Sequence, residues 1–161
     1  MTLYFLRHGD VAEYAPDDAH RVLSGRGEQQ ARIAGNALVS MGITLYKIIS
    51  SPLTRAQQTA KHISEVGNAP LFSVSPCLLP ESNPRDILVE LNALPGSSVL
   101  LVGHEPQLRK MVSLPLGNSA QMNLRLTNGC LGCISIPQPL SEGKGTFLWF
   151  MTNEQMELIL H

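Results

Sequence analysis

The residues best suited to chemistry in this chain are two histidines and two arginines, each placed where a short apolar run stops. Thr2 to Leu6 are β-branched, aromatic or aliphatic, and they run directly into Arg7-His8-Gly9. Tyr46 to Ser50 is a second run, followed by Ser51-Pro52 and then Arg55. Ser98 to Val102 is the clearest of the three and ends in Gly103-His104. An arginine fork stays charged at any working pH and matches phosphoryl oxygens bidentately. A neutral histidine attacks phosphorus and holds the group covalently, splitting one displacement into two. Its other ring nitrogen should donate to a backbone carbonyl, which fixes the tautomer. A second histidine, protonated in the field of the phosphate, would stabilise charge developing in the transition state. Together these residue types suit phosphoryl transfer.

Short apolar runs closed by turn signals read as buried strands. In open α/β sheets, sites form beyond the carboxyl ends of the strands. If these strands are parallel neighbours, Arg7, His8, Arg55 and His104 converge at one sheet edge despite their distance in sequence. Taken singly, each has a plainer reading: a strand-end histidine is usually a hydrogen-bonded structural group, and a helix-start arginine a solvated charge. Their matching placement at three strand ends is what argues for a site. Gly9 is expected to let the backbone turn sharply after His8.

The rest of the chain supplies the scaffold. Val11 to Arg21 is polar and reads as a loop. Ala31, Ala34, Leu38 and Met41 form a helical stripe, with Ser24 as its N-cap and Gly42 as its stop. Ser51-Pro52 should open the next helix, serine as cap and proline in the first helical position, with Leu53, Ala56, Ala60 and Ile63 as its apolar face. A short strand is expected around Leu71 to Val74, and a helix from Pro84 carrying Ile87, Leu88, Leu91 and Leu94. Pro106 sits near another helix start. Cys130 to Ile136 and Thr146 to Met151 should pair as a hairpin, and Thr152 to Leu160 is either a short capped helix or a continued strand. Strand and helix alternate four times. The expected fold class is α/β: a three-layer sandwich, its central sheet mostly parallel, with helices on both faces and an antiparallel edge strand.

At 161 residues the chain fits one domain, residues 1–161. A hydrophobic share of 43% with 16% charged residues is that of an ordinary globule, and a net charge of −1 offers no basic field for nucleic acid. No signal peptide and no apolar run of membrane-spanning length is visible, so a cytoplasmic setting is expected. Cys77, Cys130 and Cys133 make no disulfide framework. Cys130 and Cys133 have the spacing of a metal pair, but no second pair follows, and strand residues three apart face opposite ways. They read as packed strand cysteines. No cofactor or metal is expected at the histidines either: no Asp/Glu cluster joins them, and two arginines would repel a cation. His20, His62 and His161 read as loop, helix-surface and tail residues.

Leu3-Tyr-Phe-Leu-Arg-His-Gly-Asp10, Ser50-Ser-Pro-Leu-Thr-Arg-Ala-Gln-Gln-Thr-Ala60 and Leu101-Val-Gly-His-Glu-Pro106 resemble the three motifs of the histidine phosphatase, or phosphoglycerate mutase-like, superfamily. The small size, Arg21-Val-Leu-Ser24 and Leu79-Pro-Glu-Ser-Asn-Pro84 point further, to a resemblance with the SixA-type phosphohistidine phosphatases. The resemblance implies His8 as nucleophile, Arg7 and Arg55 as phosphate ligands and His104 as the second histidine. It puts Arg21 near the pocket mouth. Glu81 falls near the position of a glutamate that protonates the leaving oxygen in larger relatives; a locally bonded loop carboxylate is the alternative. The implied substrate is a phosphohistidine-containing protein, met transiently.

Two other functions stay open: a small-molecule phosphomonoesterase or mutase on the same scaffold, and a non-catalytic phosphoprotein-binding module. An intact His8 argues against the module, which needs no nucleophile. Larger members of the resembled superfamily carry helical insertions that close over small esters. Here the spans from Pro70 to Gly96 and from Pro115 to Asn128 leave no room for such a lid. An open pocket suits a side chain presented by another protein.

Overall fold

The computed structural model describes residues 1–67, 71–117 and 122–160, so His161 lies outside it. The strands are β1 (Thr2–Arg7), β2 (Lys47–Ser50), β3 (Phe72–Val74), β4 (Ser98–Gly103), β5 (Leu131–Ser135) and β6 (Thr146–Met151). The helices are α1 (Gly25–Ser40), α2 (Thr54–Gly67), α3 (Pro84–Asn92), α4 (Gln107–Ser113) and α5 (Asn153–Ile159), with a 3₁₀ turn at Pro76–Leu78. The sheet order is β3-β2-β4-β1-β5-β6. The first four are parallel, and the β5–β6 hairpin continues the sheet, β5 running antiparallel to β1.

Two apolar layers enclose this sheet, as the alternation of strand and helix leads one to expect. On one face Tyr4, Leu6, Ile48, Leu100 and Val102 pack with Ala34 and Leu38 of α1, Ala60 and Ile63 of α2, and Met156 of α5. On the other, Leu3, Phe5, Ile49, Val99 and Leu101 pack with Ile87 and Leu91 of α3 and Leu108 and Met111 of α4. Cys130 belongs to the second layer and Cys133 to the first, on opposite sides of the sheet as strand parity requires. Both are buried free thiols, and burial pushes them up, Cys130 to about 12 and Cys133 to about 11, so neither supplies a thiolate. The tail resolves to helix: the Thr152 hydroxyl and Gln155 side chain form a reciprocal capping box at the start of α5.

One expected boundary is corrected. α2 opens at Thr54, not at Pro52. The Ser51 amide still donates to the Val102 carbonyl at 2.9 Å, extending the strand ladder, and the first helical carbonyl is that of Leu53, which accepts from Gln57. The Ser51 hydroxyl accepts from the Leu53 amide at 3.4 Å, ahead of the helix, and stands at the sheet edge. No helix among the described residues is long and apolar enough to cross a membrane.

Candidate active site

β1, β4 and β2 are adjacent and in register at their carboxyl ends, Arg7 opposite Gly103 and Ser50 opposite Val102. That register brings His8, Arg55 and His104 into one cluster. The His8 and His104 rings lie 4.9 Å apart between centroids, tilted by 53°. His8 Nδ1 is 2.7 Å from the carbonyl oxygen of Gly9. A carbonyl only accepts, so Nδ1 carries the proton and Nε2 presents its lone pair. Arg55 Nε donates toward that lone pair at 3.3 Å. The nucleophilic nitrogen therefore faces a guanidinium, the group a phosphate would also meet. His104 Nε2 is 2.7 Å from Ser51 Oγ.

The loop after β1 is held by close packing. A Cβ on Gly9 would overlap the Gly27 backbone at the start of α1, and one on Gly27 would overlap the carbonyl of Asp10. Gly9 is required by this approach of two backbones rather than by a positive φ, which the chain uses at Gly42, Gly117, Gly129 and Gly143. Asp10 locks the same junction: its amide donates to Gln30 Oε1 at 2.8 Å and its carboxylate accepts from Ser24 Oγ at 2.9 Å. Ser24 in turn caps α1 by accepting from the Gly27 amide. From α2, buried Thr59 accepts from the Gly9 amide at 3.2 Å, one turn beyond Arg55. Gly9→Ala should consequently lower the melting temperature sharply and impair folding, which thermal denaturation of the purified variant checks.

Burial lowers both imidazoles, and the nearby cations reinforce it. His8 is pushed down to about 4, chiefly by desolvation, with Arg55 and Arg7 adding and the Gly9 carbonyl opposing. His104 is pushed down to about 3 by desolvation, then by His8, Arg55 and Arg7. Both rings are neutral in the free protein at neutral pH. The sign for stability follows: from pH ~6.5 down to about 4 for His8 and about 3 for His104, the unfolded chain takes up protons that the native sites refuse, so stability falls as pH falls through that window. Imidazole resonances of His8 and His104 followed by NMR should titrate below pH 5, and that of His104 should move upward when inorganic phosphate is added.

The remaining expected residues are placed less centrally. Arg7 Nη1 donates to the Leu126 carbonyl at 2.5 Å, and its charge is felt at both histidines. Arg21 donates to the Ala12 carbonyl at 3.5 Å and stands 3.8 Å from the Asp18 carboxylate, so it reaches the cluster only through Asp18. Glu81 occupies an exposed turn and makes no hydrogen bond or ion pair with a described residue. Asp18 went unnoticed in the sequence: Arg55 donates to its carbonyl at 2.7 Å and its carboxylate at 3.1 Å. A lone aspartate in a polar loop gives no periodic signal. Ser51 was visible only as an expected helix cap. No group of three or more His, Cys, Asp or Glu side chains able to hold a metal occurs among the described residues.

Comparison with known proteins agrees with this geometry. Residues 3–75 match the histidine phosphatase superfamily (branch 1). An uncharacterised protein of Picosynechococcus sp. is 36% identical over 114 residues, which cover 67% of this chain and 68% of that one. Phosphohistidine phosphatase SixA of Escherichia coli is 29% identical over 157 residues, 94% of each chain. The structure of the protein histidine phosphatase SixA complexed with tungstate matches with a TM-score of 0.86 at 27% identity, over 95% of this chain and 97% of that one.

Proposed function

The chain belongs to the histidine phosphatase superfamily, and from that premise we propose that it is a SixA-type phosphatase that hydrolyses phosphohistidine on another protein. The observation that carries the mechanism is the tautomer: the Gly9 carbonyl holds the proton on His8 Nδ1, so the lone pair that attacks is on Nε2, where Arg55 Nε now donates and a phosphoryl group would take its place. In the first step a bond forms between His8 Nε2 and phosphorus as the bond from phosphorus to the substrate's imidazole breaks; that imidazole, protonated on its other ring nitrogen, takes the bonding pair and leaves neutral. In the second, water attacks phosphorus, the bond to Nε2 breaks to return neutral His8 with its proton still on Nδ1, and inorganic phosphate leaves carrying both protons of the water. Arg7 and Arg55 balance the charge on the phosphoryl oxygens throughout, a task a metal would otherwise perform. His104, neutral beforehand, takes a proton once the dianion is present and donates to a developing negative oxygen.

Imidazole leaves more readily than an alkoxide, so this reaction has little need of a dedicated acid. An exposed Glu81 suits that substrate better than it suits an ester. The connection from β3 to α3 holds only the 3₁₀ turn, which buries Leu78, and the bend after it, and it adds no helix that could close over the site; that supports a pocket open to a side chain on a folded partner. That partner is a phosphohistidine-containing protein of a phosphorelay, met through a small and transient interface. A cytoplasmic setting belongs to the same proposal, because the three free cysteines suit a reducing compartment.

Initial rates on a phosphohistidine protein, measured beside phosphoglycerates and sugar phosphates, test the reading. The protein substrate should have a kcat/KM higher by about tenfold or more, which is ~1.4 kcal/mol of transition-state stabilisation. Chelators should leave the rate unchanged. Comparable or better efficiency on a small ester would establish a phosphomonoesterase instead, and activity lost with a stoichiometric metal would overturn the metal-free mechanism.

A further inference from the structure

A second positively charged cleft adjoins the phosphate pocket, and of its lining the mechanism above uses Arg7 alone. Strand parity creates it. Along β1, Tyr4 and Leu6 point to the α1–α2 side, and His8 continues that row; Leu3 and Phe5 point to the α3–α4 side, and Arg7 continues theirs. Arg7 therefore stands between the two, its charge felt at both histidines while its Nη1 donates to the Leu126 carbonyl in the segment before β5. There it lines a cleft of about 480 Å³ together with Glu105, Arg109, Asn123 and Arg125. Arg7 and Glu105 are the immediate chain neighbours of His8 and His104, so the cleft and the phosphate pocket share a wall. Its volume is within the range of small-ligand sites, ~300–1,000 Å³.

The polar groups of this cleft are under-satisfied. Arg7 Nε, Arg109 Nε and Glu105 Oε1 are buried and have no hydrogen-bond partner among the described residues. Arg109 Nε stands 3.5 Å from Glu105 Oε2, and Arg125 is exposed at the rim. Burial raises the Glu105 carboxyl above its usual range, against the pull of Arg109 and Arg7. If Arg7 serves the phosphoryl group, the two arginines left over face one carboxylate, a surplus of a single positive charge. A single surplus charge beside planar guanidinium forks fits a monoanion with two coplanar oxygens, which describes a carboxylate better than a second phosphate dianion.

We propose that this cleft is a specificity subsite that receives an aspartate or glutamate side chain lying beside the phosphohistidine on the substrate protein. The proposal rests on the phosphohistidine reading and adds the chemistry of the surrounding surface. It makes acidic neighbours, rather than a fold or a fixed sequence, the feature by which a partner is selected.

The test uses phosphohistidine peptides with one glutamate scanned along an otherwise glutamine-substituted sequence. For the wild-type protein, at least one glutamate position should raise kcat/KM by about tenfold, the value of one good charge-assisted contact. In the double variant Arg109→Gln, Arg125→Gln that ratio should fall to near one. Arg125→Gln alone, at an exposed position, should lower it several-fold and keeps the test available if the double variant does not fold. Equal hydrolysis of all peptides by the wild type, or a preference that survives the double substitution, overturns the subsite alone. Peptides left intact while phenyl phosphate is hydrolysed overturn the phosphohistidine reading and the subsite with it. A preference for phosphoglycolate over ethyl phosphate that depends on Arg109 and Arg125, with none among peptides, assigns the carboxylate to a small molecule and overturns the protein-borne one.

Discussion

His8→Ala should lower kcat on a phosphohistidine protein by at least about 10⁴-fold, since losing a covalent nucleophile in other two-step hydrolases costs up to ~10⁶. No described neighbour is placed to substitute: the other imidazole, His104, has its Nε2 held by Ser51 at 2.7 Å, and burial depresses it as it does His8. The variant should keep its fold. The backbone of residue 8 remains bonded at both ends, its amide to Gly103 at 3.1 Å and its carbonyl to the Gly129 amide at 3.2 Å. Deletion of the ring leaves the Gly9 carbonyl and Arg55 Nε without that contact, which lowers stability but also removes a group whose protonation destabilises the native state in acid. In the wild type, rapid quenching should trap a phosphoenzyme that is labile in acid and stable in alkali, as a phosphoramidate is and a phosphoserine is not. Activity within tenfold of wild type in His8→Ala would end the nucleophile assignment.

What the sequence revealed of this site follows from how each group is placed. His8 and His104 end uninterrupted apolar runs, and a strand end in a parallel sheet has only one place to go, so their positions were legible before any coordinates. Arg55 was legible for a weaker reason, its nearness to the second strand. The start of α2 was misread because Ser-Pro is a good helix opening in general, whereas here Ser51 continues the strand ladder and lends its hydroxyl to His104. Gly9 was identified as a turn residue, whereas the constraint the structure adds is the Gly27 backbone across the junction, a contact between residues that no local pattern relates. Asp18, Thr59 and Gln30 act through single long-range hydrogen bonds, and such contacts leave no periodicity to read. The β5–β6 hairpin and the sheet's two apolar layers were legible because alternation and burial are distributed over many residues, where one error is outvoted.

Arg55→Ala should lower kcat by about 10²- to 10³-fold, or roughly 2.7–4 kcal/mol, the range for removing one donor from a preorganised anion site. The argument begins with its burial. The side chain is 9% exposed, and its ion-pair partner, Asp18, is 67% exposed. A buried guanidinium with a solvated counter-ion is incompletely compensated, because water screens the carboxylate as it screens any surface charge. An incoming phosphoryl dianion supplies what Asp18 does not, and it does so most fully when negative charge builds on the equatorial oxygens. Arg55 also spans three partners at once, His8 Nε2, the Asp18 carbonyl and the Asp18 carboxylate, a geometry that needs a planar fork. Arg55→Lys therefore retains the charge but should recover only part of the rate. Inorganic phosphate offers a reading independent of turnover. It should raise the melting temperature of the wild type by mass action, and raise that of Arg55→Ala far less. An equal rise in both proteins would mean that Arg55 is a structural clamp on the Asp18 loop, and that the phosphate is held without it.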